Sequence, residues 1–162
     1  MIITLTSDFG KQSQGVGMME AAIAEIAPSA RVIHYAHGIE PFATTSAARV
    51  LETVEFVAPA IHVCVCDPGV GTSRRAIVIA THRGDTLVGP DNGVLLPAAR
   101  VLGGIVEIRE ISNRSLMRPS VSALFHGRDV FCPAAAHMGQ RGELRVVRKP
   151  GRRKLAHRST VQ

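Results

Sequence analysis

Cysteine is scarce in this chain: Cys64, Cys66 and Cys132 are the only three among 162 residues. Three thiols fit no disulfide framework. Cys64 and Cys66, two positions apart, would point the same way from a strand, as reduced core cysteines do. Long apolar runs are also lacking. No stretch reaches membrane-spanning length, and Met1 leads directly into a strand-like segment rather than a signal peptide. These absences lead us to expect a cytoplasmic protein. There is no Walker A sequence and no Gly-x-Ser-x-Gly elbow, which excludes a P-loop nucleotidase and leaves covalent catalysis by a serine elbow unsupported. Gly15-Val16-Gly17 has the opening of a dinucleotide-binding turn, but Glu20 stands where the third small residue belongs. That argues against a Rossmann cofactor site.

The net charge of +6 is unevenly placed. Residues 141–162 hold eight Lys/Arg against one acid, Glu143, a net of +7, so the preceding 140 residues stand at −1. A near-neutral body argues against a nucleic-acid-binding domain, leaving at most non-specific contacts through a solvated basic tail. With an apolar fraction of 46%, the length fits one domain with a real core.

Periodicity gives the order of elements. Ile2–Thr6 reads as a buried strand ending at Ser7-Asp8. A loop over 9–17 leads to a helix carrying Met19, Ala22, Ile23 and Ile26 on one face and stopped by Pro28. A second strand spans 31–35. Thr44, Thr45 and Ser46 then offer N-cap hydroxyls to a helix with Ala47, Val50, Leu51, Val54 and Val57 on its face. Further strands are expected at 61–66, 76–81, 86–88 and 105–111, a short helix at 95–102, and a last helix at 129–138 capped by Asp129. Alternation of this kind implies an α/β three-layer sandwich, a mostly parallel sheet with helices on both faces.

Ligands of such sheets bind beyond the carboxyl ends of the strands. Asp8, His37, Asp67, Asp91-Asn92 and His126 all fall at or after such ends. The richest segment is 61–75, where an apolar run meets Asp67, the turn Pro68-Gly69-Val70-Gly71, and then Arg74 and Arg75. Acid–base and electrostatic chemistry by Asp67, Arg74 and His126 is the reading, with Asp8, Asp91 and Asn92 as hydrogen-bonding groups. Ser122 opens a compact polar loop through Asp129. His62, Cys64 and Cys66 could ligate a soft metal, but their spacing fits core packing better and no metal is expected. His34 and His37 read as ordinary loop histidines.

Four ordered segments, Thr6-Ser7-Asp8-Phe9-Gly10, Asp67-Pro68-Gly69-Val70-Gly71-Thr72, Gly89-Pro90-Asp91-Asn92-Gly93-Val94-Leu95 and Phe125-His126-Gly127-Arg128-Asp129, resemble the S-adenosyl-L-methionine (SAM) hydroxide adenosyltransferases. These SAM hydrolases are relatives of SAM-dependent fluorinases and chlorinases. The resemblance implies the family's N-terminal α/β domain over residues 1–139. The implied reaction hydrolyses SAM, as substrate and without cofactor, to adenosine and L-methionine. It places a catalytic triad on Asp67, Arg74 and His126. Substrate contacts are implied at Asp8, Phe9, Asp91, Asn92 and Ser122, with Asp8 holding the ribose hydroxyls. A homotrimer is also implied. The chain departs from the family at Ser13 and Gly15, where an acid and an aromatic are usual, at His34, which replaces an acid, and at Leu124, which replaces threonine. Residues 140–162 are expected to be a basic tail in place of the family's β-rich C-terminal domain, as in a truncated or frame-shifted reading frame. The rival readings are a catalytically silent SAM-, nucleoside- or partner-binding domain and, further off, a phosphate- or RNA-binding protein acting through the tail.

Overall fold

A computed structural model describes residues 1–141. Its centre is one six-stranded sheet built from β1 (Ile2–Ser7), β2 (Arg31–Ala36), β3 (Ile61–Val65), β4 (Ala76–Thr81), β5 (Thr86–Pro90) and β6 (Ile105–Glu110). The order across the sheet is β2-β1-β3-β5-β4-β6. The first four of these run parallel, while β4 pairs antiparallel with both β5 and β6. The expected mostly parallel α/β architecture is therefore present, and among the described residues β4–β5 is the one tight hairpin.

Strand alternation divides the core between two faces. Val63 and Val65 of β3 point to the face covered by α1 (Gln14–Ile26) and α4 (Cys132–Arg141), where Ile3, Leu5, Met19, Ile23 and Phe131 are buried. Cys64 and Cys66 point to the opposite face, beneath α2 (Thr44–Glu52) and α3 (Leu96–Val101), with Leu51, Ile77, Ile79 and Leu87. Both thiols are fully buried as anticipated. Burial pushes the Cys66 thiol up to about 12 and the Cys64 thiol higher still, so neither ionises readily.

His62 lies on this second face with no exposure. Its Nδ1 bonds Thr4 Oγ1 at 2.8 Å and its Nε2 bonds Asp85 Oδ1 at 3.0 Å. Asp85 also accepts from the Ala60 amide and from the Arg83 guanidinium. With both ring nitrogens taken, His62 ties β1 and β3 to the β4–β5 turn and is not placed as a metal ligand.

Three local expectations are corrected. The loop after β1 is shorter, because the Ser13 side chain accepts from the Gly15 amide and starts α1 at Gln14. Gly15 and Gly17 are thus helical. The second helix is not capped by its hydroxyls: Ala43 is the N-cap, and Thr44 Oγ1 donates back to the Phe42 carbonyl. Asp129 does not cap the last helix. A π-helical turn at Gly127–Phe131 precedes α4, and the buried Asp129 carboxylate instead accepts from the Ser122 amide and from Arg128. The expected basic tail beyond Arg141 lies outside the described residues.

Candidate active site

Segment 67–75 leaves β3 through two successive turns. The Val70 amide donates to the Asp67 carbonyl and the Thr72 amide to that of Gly69. Thr72 Oγ1 closes on the Gly69 carbonyl at 2.6 Å and accepts from the Arg74 amide. These turns fold Arg74 back onto the acid seven positions earlier. Arg74 Nε donates to both Asp67 oxygens, at 2.9 and 2.8 Å, and its Nη2 also bonds Asp67. The same Nη2 donates to His126 Nδ1 at 2.8 Å. Asp67, Arg74 and His126, separated by up to 59 positions in sequence, are one hydrogen-bonded unit.

The unit is kept in place from beneath and from the side. Phe131, wholly buried, lies 5.0 Å below the Arg74 guanidinium, a cation–π contact, and edges against the His126 ring. Gly71 carries a positive φ of 76°, and a Cβ there would overlap the Ala123 carbonyl oxygen. Only glycine lets the 67–74 turns meet the 122–126 loop that carries His126.

An arginine always donates, so Nδ1 of His126 is an acceptor and its proton sits on Nε2. Burial, and then the Arg74 charge, push the His126 pKa below its ordinary value. The ring is neutral at pH 7, in a tautomer chosen by Arg74.

Asp67 and His126 face a cleft of about 320 Å³ walled by Asp8, Phe9, Pro41, Phe42, Val65 and Phe125 among others. The cleft is largely apolar with a few polar groups, the usual make-up of a small-molecule site. Phe9 and Phe125 meet edge to face at 5.4 Å. Asp8 Oδ2 accepts the Phe42 amide at 2.7 Å. Phe42 is in the left-handed region (φ 64°) and is 65% exposed on the rim. A bulky non-glycine residue held there is stored strain at a cleft edge.

The remaining candidates sit around this centre. Asn92 donates to the Cys66 carbonyl at 2.9 Å and accepts the Val94 amide, so it braces the strand end that carries Asp67. Asp91 is turned towards Arg75, whose Nε and Nη2 reach it at 2.9 and 2.5 Å. Ser122 Oγ accepts the Leu124 amide within its own loop. Asp91, Asn92 and Ser122 are not among the cleft-lining residues. Phe42, Phe125 and Phe131 did not stand out as site residues from sequence. Among the described residues no group of three or more His, Cys, Asp or Glu is arranged to hold a metal.

Comparison with known proteins decides the family. A profile of the SAM hydroxide adenosyltransferase N-terminal domain matches residues 3–148. The chain belongs to this family. It is 45% identical over 137 residues to a (R)-S-adenosyl-L-methionine hydrolase of Salinispora arenicola, covering 84% of this chain and 52% of that one. It is 41% identical over 142 residues to a Methanocaldococcus jannaschii protein of the same name, covering 85% and 52%. A Thermotoga maritima crystal structure superposes with a TM-score of 0.86 at 43% identity, covering 92% of this chain and 57% of that one. The chain thus spans about half the length of the relatives it matches. In this family member Arg74 bridges Asp67 and His126, α4 runs to Arg141, and the family match extends to residue 148.

Proposed function

We propose that the cleft binds SAM and that the chain hydrolyses it to adenosine and L-methionine through Asp67, Arg74 and His126. The observation that carries this reading is the hydrogen-bonded Asp67–Arg74–His126 unit at a cleft of suitable size. The family membership supports it. In the reaction, an oxygen of water forms a bond to ribose C5′ as the C5′–S bond breaks. The bonding pair goes to sulfur, which leaves as a neutral thioether, so no general acid is needed. Water gives up one proton. With His126 bearing its hydrogen on Nε2, the neutral ring acts as a donor that orients the water oxygen, and Asp67 accepts the proton. Arg74 fixes both partners and balances the carboxylate charge. The apolar walls exclude competing water. Asp8, whose Oδ1 is not engaged by Phe42, is suited to the ribose hydroxyls.

The same reading takes the chain as a cytoplasmic enzyme working in a homotrimer. The test is incubation of the purified chain with SAM, with and without EDTA and with chloride or fluoride, followed by chromatography. Adenosine and methionine should appear in equal amounts, unaffected by EDTA, with no 5′-halo-adenosine. Strict dependence on a divalent ion, or adenosyl halide as main product, would sink the reading. Binding measured by calorimetry without product would favour the silent binding domain.

A further inference from the structure

Next to the cleft, a chain of four side chains runs from the core to the surface. Ser7 Oγ, fully buried at the end of β1, lies 2.8 Å from His37 Nδ1. His37 Nε2 lies 3.0 Å from His34 Nδ1, and His34 Nε2 lies 3.0 Å from Glu20 Oε2 on α1. The donor at each link is fixed from the outer end. The Glu20 carboxylate only accepts, so His34 carries its proton on Nε2 and its Nδ1 accepts. His37 must then donate from Nε2, its Nδ1 accepts, and the Ser7 hydroxyl donates to it. That assignment leaves the Ser7 lone pairs for the Phe9 amide, 3.5 Å away.

Two loops that wall the cleft are tied at the inner end of this chain. The Gly10 amide donates to the His37 carbonyl at 2.8 Å, and the Phe42 amide to Asp8. We propose that Glu20 and His34 are positioning residues for the cleft, acting through His37 and Ser7 on the Asp8–Phe9 wall. The proposal rests on the reading that this cleft takes SAM.

The chain of bonds also has a second state. A proton added to His34 makes it a donor on both sides. His37 must then accept on Nε2 and donate from Nδ1, so Ser7 becomes an acceptor. The charged or titratable neighbours are Glu20 from α1, Lys11 lying over Gly38, and Asp8 at the end of β1. Burial and the neighbouring His34 hold His37 below its ordinary value.

Nuclear magnetic resonance of the full chain tests the assignment without substrate. At pH 8, His37 should carry its proton on Nε2. The Phe9 and Phe42 amide resonances should shift as the pH is lowered and the donors along this chain of bonds reverse. Glu20→Ala should abolish that shift, and Glu20→Gln, whose amide oxygen still accepts, should restore the His37 tautomer. In the SAM assay, Glu20→Ala should raise KM about fivefold, the equivalent of one ordinary hydrogen bond, with kcat unchanged, and Glu20→Gln should recover it. A His37 proton on Nδ1 at pH 8, amides indifferent to Glu20→Ala, or a fall in kcat with KM unchanged would overturn the proposal. A wild-type chain inert towards SAM would overturn the proposed function instead, with the tautomer and amide data still deciding the relay.

Discussion

Arg74 and Arg75 are adjacent and both pair with a carboxylate, yet their replacement should act on different properties. Arg74→Lys keeps the positive charge in a side chain that cannot fork. One ammonium can reach Asp67 or His126, but it cannot repeat the two-sided contact of the guanidinium. Losing the His126 bond and one of the Asp67 bonds removes two charge-assisted hydrogen bonds, each about 1.5 kcal/mol at the low end of their range. Together this is about 3 kcal/mol, or roughly a 150-fold drop in turnover if the loss is felt in the transition state. The assay is adenosine release at saturating SAM. Arg75→Ala should leave turnover within about threefold, because Arg75 touches Asp91 and not the triad. It strands a carboxylate whose side chain is only 9% exposed. That should destabilise the fold by about 2 kcal/mol, a fall of about 6 °C in thermal midpoint for a chain of this size. Equal turnover losses at the two arginines, or an Arg74→Lys enzyme within about threefold of wild type, would refute the argument.

Turnover should be flat above pH 6.5, the ordinary histidine value, and fall only below it. Burial, and then Arg74, depress the His126 pKa and favour its neutral form; a decline centred above 6.5 would contradict this. Stability should follow the same direction. His37, His62 and His126 are all held below 6.5, so the unfolded chain binds more protons at lower pH. Their contribution is complete above pH 6.5 and lost as pH falls from there, measurable by urea titration at pH 5.5 and 7.5. Asp85→Ala should destabilise by about 3 kcal/mol in the same titration, since it leaves His62 and the Ala60 amide without a buried acceptor. A loss under about 1 kcal/mol would show that water substitutes for the carboxylate. Gly71→Ala should lower turnover at least about tenfold by pushing the Asp67 turn off Ala123, and unchanged turnover would mean that the two loops need not touch.

Much of this structure was legible because it is periodic or punctuated. Strand alternation placed Cys64 and Cys66 on one face, and the proline and glycines after Asp67 marked the turns that return Arg74 to it. The helix ends were less legible. Ser13 was the real cap of the helix after β1, whereas the run Thr44-Thr45-Ser46, richer in cap-like residues, is not capped by any of them. Capping depends on the φ and ψ of one residue, and composition does not report those. Asp129 looked like a cap for the same reason, but its carboxylate is drawn to Ser122 and Arg128 by a fold-back of the chain.

The site divides along the same line. Its charged members stood out because they fall at or after strand ends, where ligands of such sheets bind. Phe9 stood out by resemblance, but Phe42, Phe125 and Phe131 stayed hidden. The chain has only five phenylalanines. Phe9, Phe42 and Phe125 line the cleft and Phe131 supports Arg74, while the fifth, Phe56, is 84% exposed. In so aromatic-poor a chain, that concentration was a signal available in composition, although only the fold shows where the rings meet. The histidines make the opposite case. His34 and His37 passed for loop residues, since no local pattern joins Ser7 to Glu20 through two rings. That chain of bonds needs β1, β2 and α1 to be packed first, and it sets the proton on each ring from the surface inwards. Its function is a property of order in space, and only variants such as Glu20→Ala and Glu20→Gln can expose it.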